Sequence, residues 1–176
     1  GSLSNATGGI NISNGRPNSA LNGYYQVKNT EIINNTFVNC DYALRVGTNV
    51  GSDLTQEPVN LTVENNIMYN TSVNAYQILT TPSGTSSNQG NLTNLPTTDM
   101  VDDGNFHRLT SGSSPIDAGI GTYSYLTQDV LKGNRGVIFD AGAEEFGANG
   151  TFLPFDSTDV GVNIGFGADP APSLSL

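Results

Sequence analysis

The sequence predicts an all-β protein in which short strands wind through stacked coils, as in a β-solenoid. Two observations lead to this prediction. A short alternating pattern of apolar and polar residues is written three times between residues 9 and 80, and a longer segment repeats at a shift of 31 residues. Repeats of roughly 20 to 50 residues are typical of solenoids, whose units bury apolar surface against one another.

The three short copies read as half-buried strands, because apolar and polar side chains alternate with a period of two. They are Gly9–Gly15, Tyr42–Thr48 and Ala75–Thr80. If successive coils lie flat on one another, one apolar side chain from each copy stacks in a file. We expect that file to consist of Ile12, Val46 and Ile78.

The longer repeat carries a pair of asparagines at the same place in each copy. At a shift of 31, the segment at residues 27–40 matches the one at residues 60–71 and superposes Ile32 on Val63 and Asn34-Asn35 on Asn65-Asn66. Asparagine tolerates the left-handed backbone conformation that a sharp corner requires. Its amides also bond from layer to layer in stacked β structures. We therefore expect asparagine corners that bond from coil to coil.

Each short strand is followed by a polar excursion that contains Gly or Pro. These excursions are Gly15–Gly23, Asn49–Pro58 and Thr81–Gly90. Because they leave equivalent coils at the same corner, we expect them to line up on one edge. Aligned in this way, they would build one wall of an elongated groove.

Composition excludes some classes of partner. The 176 residues carry a net charge of −10 with only six basic residues, which argues against nucleic-acid binding. No stretch approaches the ~20 apolar residues of a membrane span. The negative field would also repel an acidic polysaccharide, so a basic groove would have to come mostly from elsewhere.

The chain divides into three predicted regions. Residues 1–105 hold the coils and groove-forming loops, and residues 88–94 form a degenerate last corner. Residues 106–148 form a closing segment, and residues 149–176 an extended C-terminal tail anchored by phenylalanines. The first strand arrives without a capping element, so we expect the N-terminal part of the same protein to stack before it.

Several polar residues have an ordinary structural interpretation. An acidic loop at Asp99, Asp102 and Asp103 is favoured as a solvated turn, with a calcium site as the alternative. Cys40 is predicted to fill the core, and His107 lacks partners for a metal site. Structural ion pairs are expected in the closing segment among Asp117, Asp129, Arg135 and Asp140.

Two blocks resemble known families. The block from Asn14-Gly15-Arg16-Pro17-Asn18-Ser19 through Tyr24-Tyr25-Gln26-Val27-Lys28-Asn29, together with residues 34–40, resembles the C-terminal half of polysaccharide lyase family 6. That family contains alginate lyases and chondroitinase B. Residues 114–119, 133–135 and 140–144 resemble the closing segment of many secreted right-handed β-helix proteins. The resemblance covers roughly residues 5–147.

The resemblance implies a right-handed parallel β-helix and β-elimination at a uronic acid. In the family a Lys removes the proton, an Arg assists the leaving oxygen, and calcium held by Asn and Glu neutralises the substrate carboxylate. These groups precede the matched part, and an Arg-His-Gly stretch is absent here. We therefore expect no catalytic residue and no metal ligand in this chain, with calcium bound outside it.

What the resemblance implies for this chain is contact with an acidic polysaccharide, with alginate as the first choice and dermatan or chondroitin-type glycans as the second. Guanidinium groups bind carboxylates bidentately, and tyrosines stack on sugar rings. The predicted contacts are Arg16, Tyr24, Tyr25, Gln26, Lys28 and Arg45. The alternative function is a non-catalytic β-helix that binds glycans or acts as a cell-surface spacer. Either reading places the protein outside the cell, secreted, periplasmic or surface-bound, in a bacterial setting.

Overall fold

The computed structural model describes residues 8–20, 23–49, 51–104 and 106–150. Within these residues it contains eleven strands and no helix, so no helix long and apolar enough to cross a membrane is found there. The strands are β1 (Ile10–Ser13), β2 (Lys28–Ile33), β3 (Thr36–Val38), β4 (Tyr42–Thr48), β5 (Val59–Glu64), β6 (Ile67–Tyr69), β7 (Asn74–Ile78), β8 (Ser87–Gln89), β9 (Leu92–Thr93), β10 (Met100–Asp102) and β11 (His107–Leu109).

The first nine strands form three parallel sheets. Their orders are β1-β4-β7, β2-β5-β8 and β3-β6-β9, which we call the first, second and third sheets. Each strand therefore pairs with the strand three elements later, and the chain visits the sheets in turn. The prediction of an all-β chain with parallel strands is confirmed, and the arrangement is consistent with a parallel β-helix. Its handedness stays a prediction.

The register of the first sheet confirms the predicted file of apolar side chains. Ile12 pairs with Val46, and Val46 pairs with Ile78. In the second sheet Ile32 pairs with Val63, as the repeat predicts. These side chains, except Ile78, belong to a buried cluster inside the coils. Ile78 is 44% exposed because it lies on the last strand of its sheet.

The asparagine corners form the predicted ladder, and Asn66 lies at its centre. Its Oδ1 accepts bonds from the backbone N–H and the side-chain amide of Asn35, both at 3.0 Å. Its Nδ2 donates to the carbonyl of Ile32 and to Oδ1 of Asn91, both at 2.8 Å. Asn91 thereby brings the degenerate third corner into the ladder. The corners also use left-handed backbone, at Asn34, Asn39, Asn65 and Asn70.

A second buried cluster lies on the other face of the third sheet. Met68 of β6 packs in the inner cluster, whereas its neighbours Ile67 and Tyr69 pack in the second cluster. Met100 of β10, Leu109 of β11 and Ala141 complete that cluster, and β10 and β11 pair as an antiparallel hairpin. The segment after residue 99 is thus held to the side of the coils by an apolar cluster that it shares with β6.

Residues 115–145 then run back along the asparagine corner toward the first coil. The side chain of Asn65 bonds to the backbone N–H and carbonyl of Ile120, at 2.9 and 2.8 Å. The amide of Asn34, one coil earlier, donates to the carbonyls of Asp140 at 2.9 Å and Gly142 at 3.3 Å. The closing segment therefore forms hydrogen bonds with both asparagine corners from outside the coils. It leaves Ile78 exposed. The predicted boundary between coils and closing segment stays a prediction.

The expected ion pairing within the closing segment needs a correction. Arg135 pairs with Glu145 at 3.3 Å rather than with an aspartate, and its other bonds go to backbone carbonyls. Asp129 and Asp140 instead accept backbone N–H groups, including those of Gly133 and Asp117. Short aspartate side chains suit turn amides, whereas the longer glutamate reaches the guanidinium.

Most of the other residues that were given a structural role from the sequence also have partners in the structure. Asp99 is buried and accepts from the backbone N–H of Ser114 at 3.1 Å, so the acidic loop is not wholly solvated. Asp103 lies 3.5 Å from Arg108. His107 packs its ring 5.6 Å from that of Tyr69. Cys40 is only partly buried, and that burial raises the pKa of its thiol. The predicted tail beyond residue 150 lies outside the described residues.

Two tyrosines tie the closing segment to the second sheet, and they make its attachment sensitive to pH. The hydroxyls of Tyr123 and Tyr125 donate to the carboxylates of Glu64 and Glu31. The bond to Glu31 raises the pKa of Tyr125 to about 12, and burial beside Glu64 raises the pKa of Tyr123. Both phenols are thus held in the protonated form that donates a hydrogen bond.

We therefore expect the free energy of unfolding to fall at alkaline pH. A raised folded-state pKa gives a contribution that is complete below the unfolded value of about 10 and lost as pH rises to about 12. Urea titrations at pH 8 and pH 11 measure it. Tyr125→Phe should lose less stability between these pH values than the parent, whereas Tyr24→Phe should behave as the parent. Equal pH dependence in both variants would contradict the assignment.

Candidate functional site

The predicted loops do stack on one edge of the coils, but the third, predicted for residues 81–90, ends earlier because β8 occupies Ser87–Gln89. We call residues 15–27 loop 1, residues 49–58 loop 2 and residues 79–86 loop 3. Gly15 and Gln56 exchange two backbone bonds, at 2.7 and 2.9 Å, which join loop 1 to loop 2. The backbone N–H of Ser83 donates to the carbonyl of Pro58 at 2.9 Å and joins loop 2 to loop 3. The alignment expected from the repeat is confirmed.

Two residues at the base of the loops explain why the chain leaves each coil at the same place. The amide of Asn14 is buried and donates to the carbonyl of Leu54 at 3.3 Å and to the hydroxyl of Thr80 at 3.1 Å, which spans all three levels. Gly47 has a φ of 72°, and a Cβ there would lie 2.4 Å from the Thr80 Cβ. Only glycine fits this close approach.

Arg16 lies in loop 1 with its charge already paired. Its guanidinium is 2.6 Å from the carboxylate of Asp53 in loop 2, and the two side chains are 46% and 56% exposed. Exposed pairs of this kind contribute only about 0 to 1 kcal/mol, so an incoming carboxylate can compete with Asp53. Arg16 is thus available to a ligand only by exchange of partners.

The other predicted contacts of loop 1 differ in what they offer. Tyr24 and Tyr25 are both about half exposed, and the Tyr24 carbonyl accepts the backbone N–H of Arg16 at 2.8 Å, which places Tyr24 beside that arginine. Gln26 donates its amide to the carbonyl of Glu57 at 2.8 Å, so it connects the loops rather than facing a ligand. Lys28 is exposed at the start of β2. It therefore belongs to the second sheet, directly after loop 1.

Arg45 projects from the first sheet between two neighbours that fix its position. Its Nε donates to Oε1 of Gln77 at 3.0 Å, and its guanidinium lies 4.6 Å from the ring centroid of Tyr42. Among the described residues no carboxylate lies within ion-pair distance of it. Because its charge is oriented yet not neutralised, Arg45 is suited to an anionic ligand.

The structure therefore brings some predicted residues together and not others. Arg16 and Tyr24 are neighbours on the loop wall, and Gln26 lies in the same loop as a connector. Arg45 belongs to the outer face of the first sheet, in a row with Asn11 before it and Gln77 after it. No bond among the described residues links Arg45 to loop 1.

Sequence reasoning missed the partners Tyr42, Asp53 and Gln77. A signal exists for Gln77, because it occupies the position equivalent to Arg45 in the next copy of the strand, 32 residues later. Tyr42 begins the same strand as Arg45, but side chains three residues apart on a strand normally point to opposite faces, so this spacing did not mark the contact. Nothing in the sequence marks Asp53, since its pairing depends on how two irregular loops stack.

The described residues contain no group of three or more His, Cys, Asp or Glu side chains that could hold a metal ion. Carboxylates of loop 2 and of the second sheet are also engaged, Asp53 with Arg16, Glu57 with Ser83, and Glu31 and Glu64 with tyrosine hydroxyls. These residues do not fit the calcium ion that the family resemblance implies. No step of a mechanism is therefore assigned to calcium in this part of the protein.

Comparison with known proteins identifies the family of this chain. No curated protein matches the sequence. A family match, described as Chondroitinase B, spans residues 2–122 and so includes loops 1 to 3 and every predicted contact residue. Because this match covers more than half of the 176 residues, the chain belongs to the chondroitinase B family.

Proposed function

We propose that this chain is the C-terminal part of a secreted polysaccharide lyase that cleaves an acidic, uronate-containing glycan by β-elimination. Its part in the reaction is to supply one wall of the substrate groove, on a right-handed parallel β-helix. Membership in the chondroitinase B family supports a glycosaminoglycan lyase-like function in general. The parallel strands and the aligned loops support an elongated groove rather than a closed pocket.

The observation that carries the binding role is the environment of Arg45. A guanidinium held by Gln77 and Tyr42, with no carboxylate partner among the described residues, can donate two parallel hydrogen bonds to the carboxylate of a uronate. Arg16 and the exposed Tyr24 and Tyr25 would extend this contact along the glycan chain. Alginate is our first choice of substrate because every sugar in it carries a carboxylate, whereas dermatan and chondroitin-type glycans carry one in alternate sugars.

Binding the carboxylate bears directly on β-elimination. The reaction removes the proton from the carbon next to that carboxylate, forms a carbon–carbon double bond and expels the oxygen of the glycosidic bond. The proton is barely acidic until the carboxylate charge is neutralised, so a cation and a base must act together. In this proposal Arg45 orients and partly neutralises a uronate, and the base comes from the N-terminal part of the same protein.

The experiment that tests the lyase function uses the full-length parent. Incubation with alginate, dermatan sulfate and chondroitin sulfate, followed by the ultraviolet absorbance of unsaturated uronate products, identifies both activity and substrate. Product from alginate supports the proposal in full. Product from dermatan sulfate or chondroitin sulfate supports the lyase function and identifies that glycan as the substrate instead. Absence of product from all three would exclude the lyase function.

Substitution of Arg45 tests the binding role within the active parent. Arg45→Gln should lower kcat/KM roughly 10- to 100-fold, because a hydrogen bond to a charged group contributes about 1.5 to 3 kcal/mol. Arg16→Ala should have a smaller effect, since Asp53 already competes for that guanidinium. Lys132→Gln removes one positive charge from an exposed turn of the closing segment and serves as the control. Equal losses in Arg45→Gln and Lys132→Gln would remove Arg45 from the groove.

Glycan binding without catalysis is the second candidate function, because Arg16 and Gln26 already contact other groups of the protein. A glycan-binding or cell-surface spacer module needs only the exposed tyrosines and Arg45. Binding of alginate oligosaccharides without any unsaturated product, measured by calorimetry on the same parent, would favour this alternative.

A further inference from the structure

A cavity of about 280 Å³ lies within the closing segment, away from the loop wall. It is lined by residues from two stretches of chain, 121–127 and 135–139, and it opens to the surface. Val137 lies at its rim with a side chain that is fully exposed, and the next residue, Ile138, is 67% exposed. Adjacent exposed aliphatic side chains beside an open cavity mark a surface that normally has an occupant.

The walls of this cavity favour an apolar occupant. The rings of Tyr123 and Phe139 meet edge to face with centroids 6.5 Å apart, and Leu126 and Val137 add aliphatic surface. Two of the polar groups are already engaged, because the Tyr123 hydroxyl donates to Glu64 and the Arg135 guanidinium bonds to Glu145 and two backbone carbonyls. The other polar lining consists of three small hydroxyl residues, Thr122, Ser124 and Thr127. No free charged group is thus left in the lining to recognise an acidic sugar, whereas an aromatic side chain would find matching surface in the two rings and the aliphatic side chains.

The described chain ends close to this cavity. Gly150 packs against the turn at residues 131–133, since a Cβ there would lie 2.4 Å from both the Gly133 nitrogen and the Leu131 carbonyl oxygen. Gly133 is two residues from Arg135, which lines the cavity. An extended chain spans about 3.3 to 3.6 Å per residue, so the residues just after Gly150 can reach the rim.

Those residues have the matching composition. The sequence continues Thr151-Phe152-Leu153-Pro154-Phe155-Asp156, which is the densest apolar stretch after residue 150. A residue that precedes proline favours extended backbone, which suits a strap laid across a surface. We propose that Phe152-Leu153-Pro154-Phe155 docks in this cavity and covers Val137 and Ile138. This contact does not depend on the proposed lyase function.

Disulfide trapping in the full chain tests the proposal. In a Cys40→Ser background, Ile138→Cys combined with Asp156→Cys leaves both phenylalanines in place and puts one thiol beside each partner. We expect an intramolecular disulfide to form at least ten times faster than in the control, Val73→Cys with Asp156→Cys, where Val73 is 62% exposed, close to the 67% of Ile138, but lies outside the patch. Equal rates in the two pairs would overturn the proposal, and so would disulfide-linked dimers, which would assign the patch to a second copy.

Hydrogen exchange gives a readout without introduced thiols. In the full chain carrying Phe152→Ser and Phe155→Ser, amides of residues 121–127 and 135–139 should exchange at least tenfold faster than in the parent. Amides of β5 should be unchanged, which verifies that the coils remain folded. Unchanged exchange around the cavity would overturn the proposal, and so would restoration of parental exchange in the double variant by added alginate oligosaccharide, which would identify a glycan site.

Discussion

Replacing Asn66 with alanine should lower the free energy of unfolding by about 3 to 5 kcal/mol. The Asn66 amide is fully buried and makes four bonds, two of them to the backbone N–H of Asn35 and the backbone carbonyl of Ile32. Alanine leaves both backbone groups without those partners, and buried unsatisfied groups cost about 1 to 3 kcal/mol each. Urea denaturation measures the change.

Asn11→Ala is the matched control for this experiment. Asn11 lies on β1 with its side chain exposed and bound to no other described residue. Its removal should change stability by less than about 0.5 kcal/mol. A similar small effect for Asn66→Ala would mean that the asparagine ladder does not stabilise the coils.

Replacing Gly142 with alanine should lower stability by about 3 to 4 kcal/mol, through two separate causes. Gly142 has a φ of 89°, where an L side chain costs about 1 to 2 kcal/mol. A Cβ there would also lie 2.5 Å from Cδ1 of Ile67 and 2.8 Å from Oγ1 of Thr36. Because that threonine oxygen accepts the backbone N–H of Ala143, the clash disturbs the contact of the closing segment with the first coil.

Gly112→Ala separates the two causes. Gly112 has a φ of 78°, yet nothing lies within 4 Å of the position that its Cβ would take. This variant should therefore show the conformational cost alone, about 1 to 2 kcal/mol. Thermal unfolding of both variants gives the comparison. If Gly142→Ala is no less stable than Gly112→Ala, the closing segment does not pack closely against Ile67.

The regular part of the molecule could be predicted because one rule generates it. In stacked parallel strands a residue sits above its equivalent in the previous coil, so the sequence repeat states the register directly. The shift that superposes Ile32 on Val63 is the register of β2 and β5. Asparagine corners follow from the same rule, since equivalent amides must lie one coil apart.

The rest escaped prediction because no periodic rule governs it. Arg135 could have paired with any nearby carboxylate, and only the fold shows that Glu145 is the one within reach. The pairing of Arg16 with Asp53 depends on two irregular loops, and the oriented position of Arg45 depends on Gln77 from the next coil. For these residues the sequence shows which side chains are charged, but it does not show which partners lie within reach of them.

The bonds from Asn34 to Asp140 and Gly142 join residues more than 100 positions apart. During synthesis from the N-terminus, the first asparagine corner must therefore wait for residues that leave the ribosome much later. Until then its amide and the apolar face of β3 are exposed to solvent and to other nascent chains. Long-range contacts of this kind slow folding, so we expect maturation to be set by arrival of the closing segment rather than by winding of the coils.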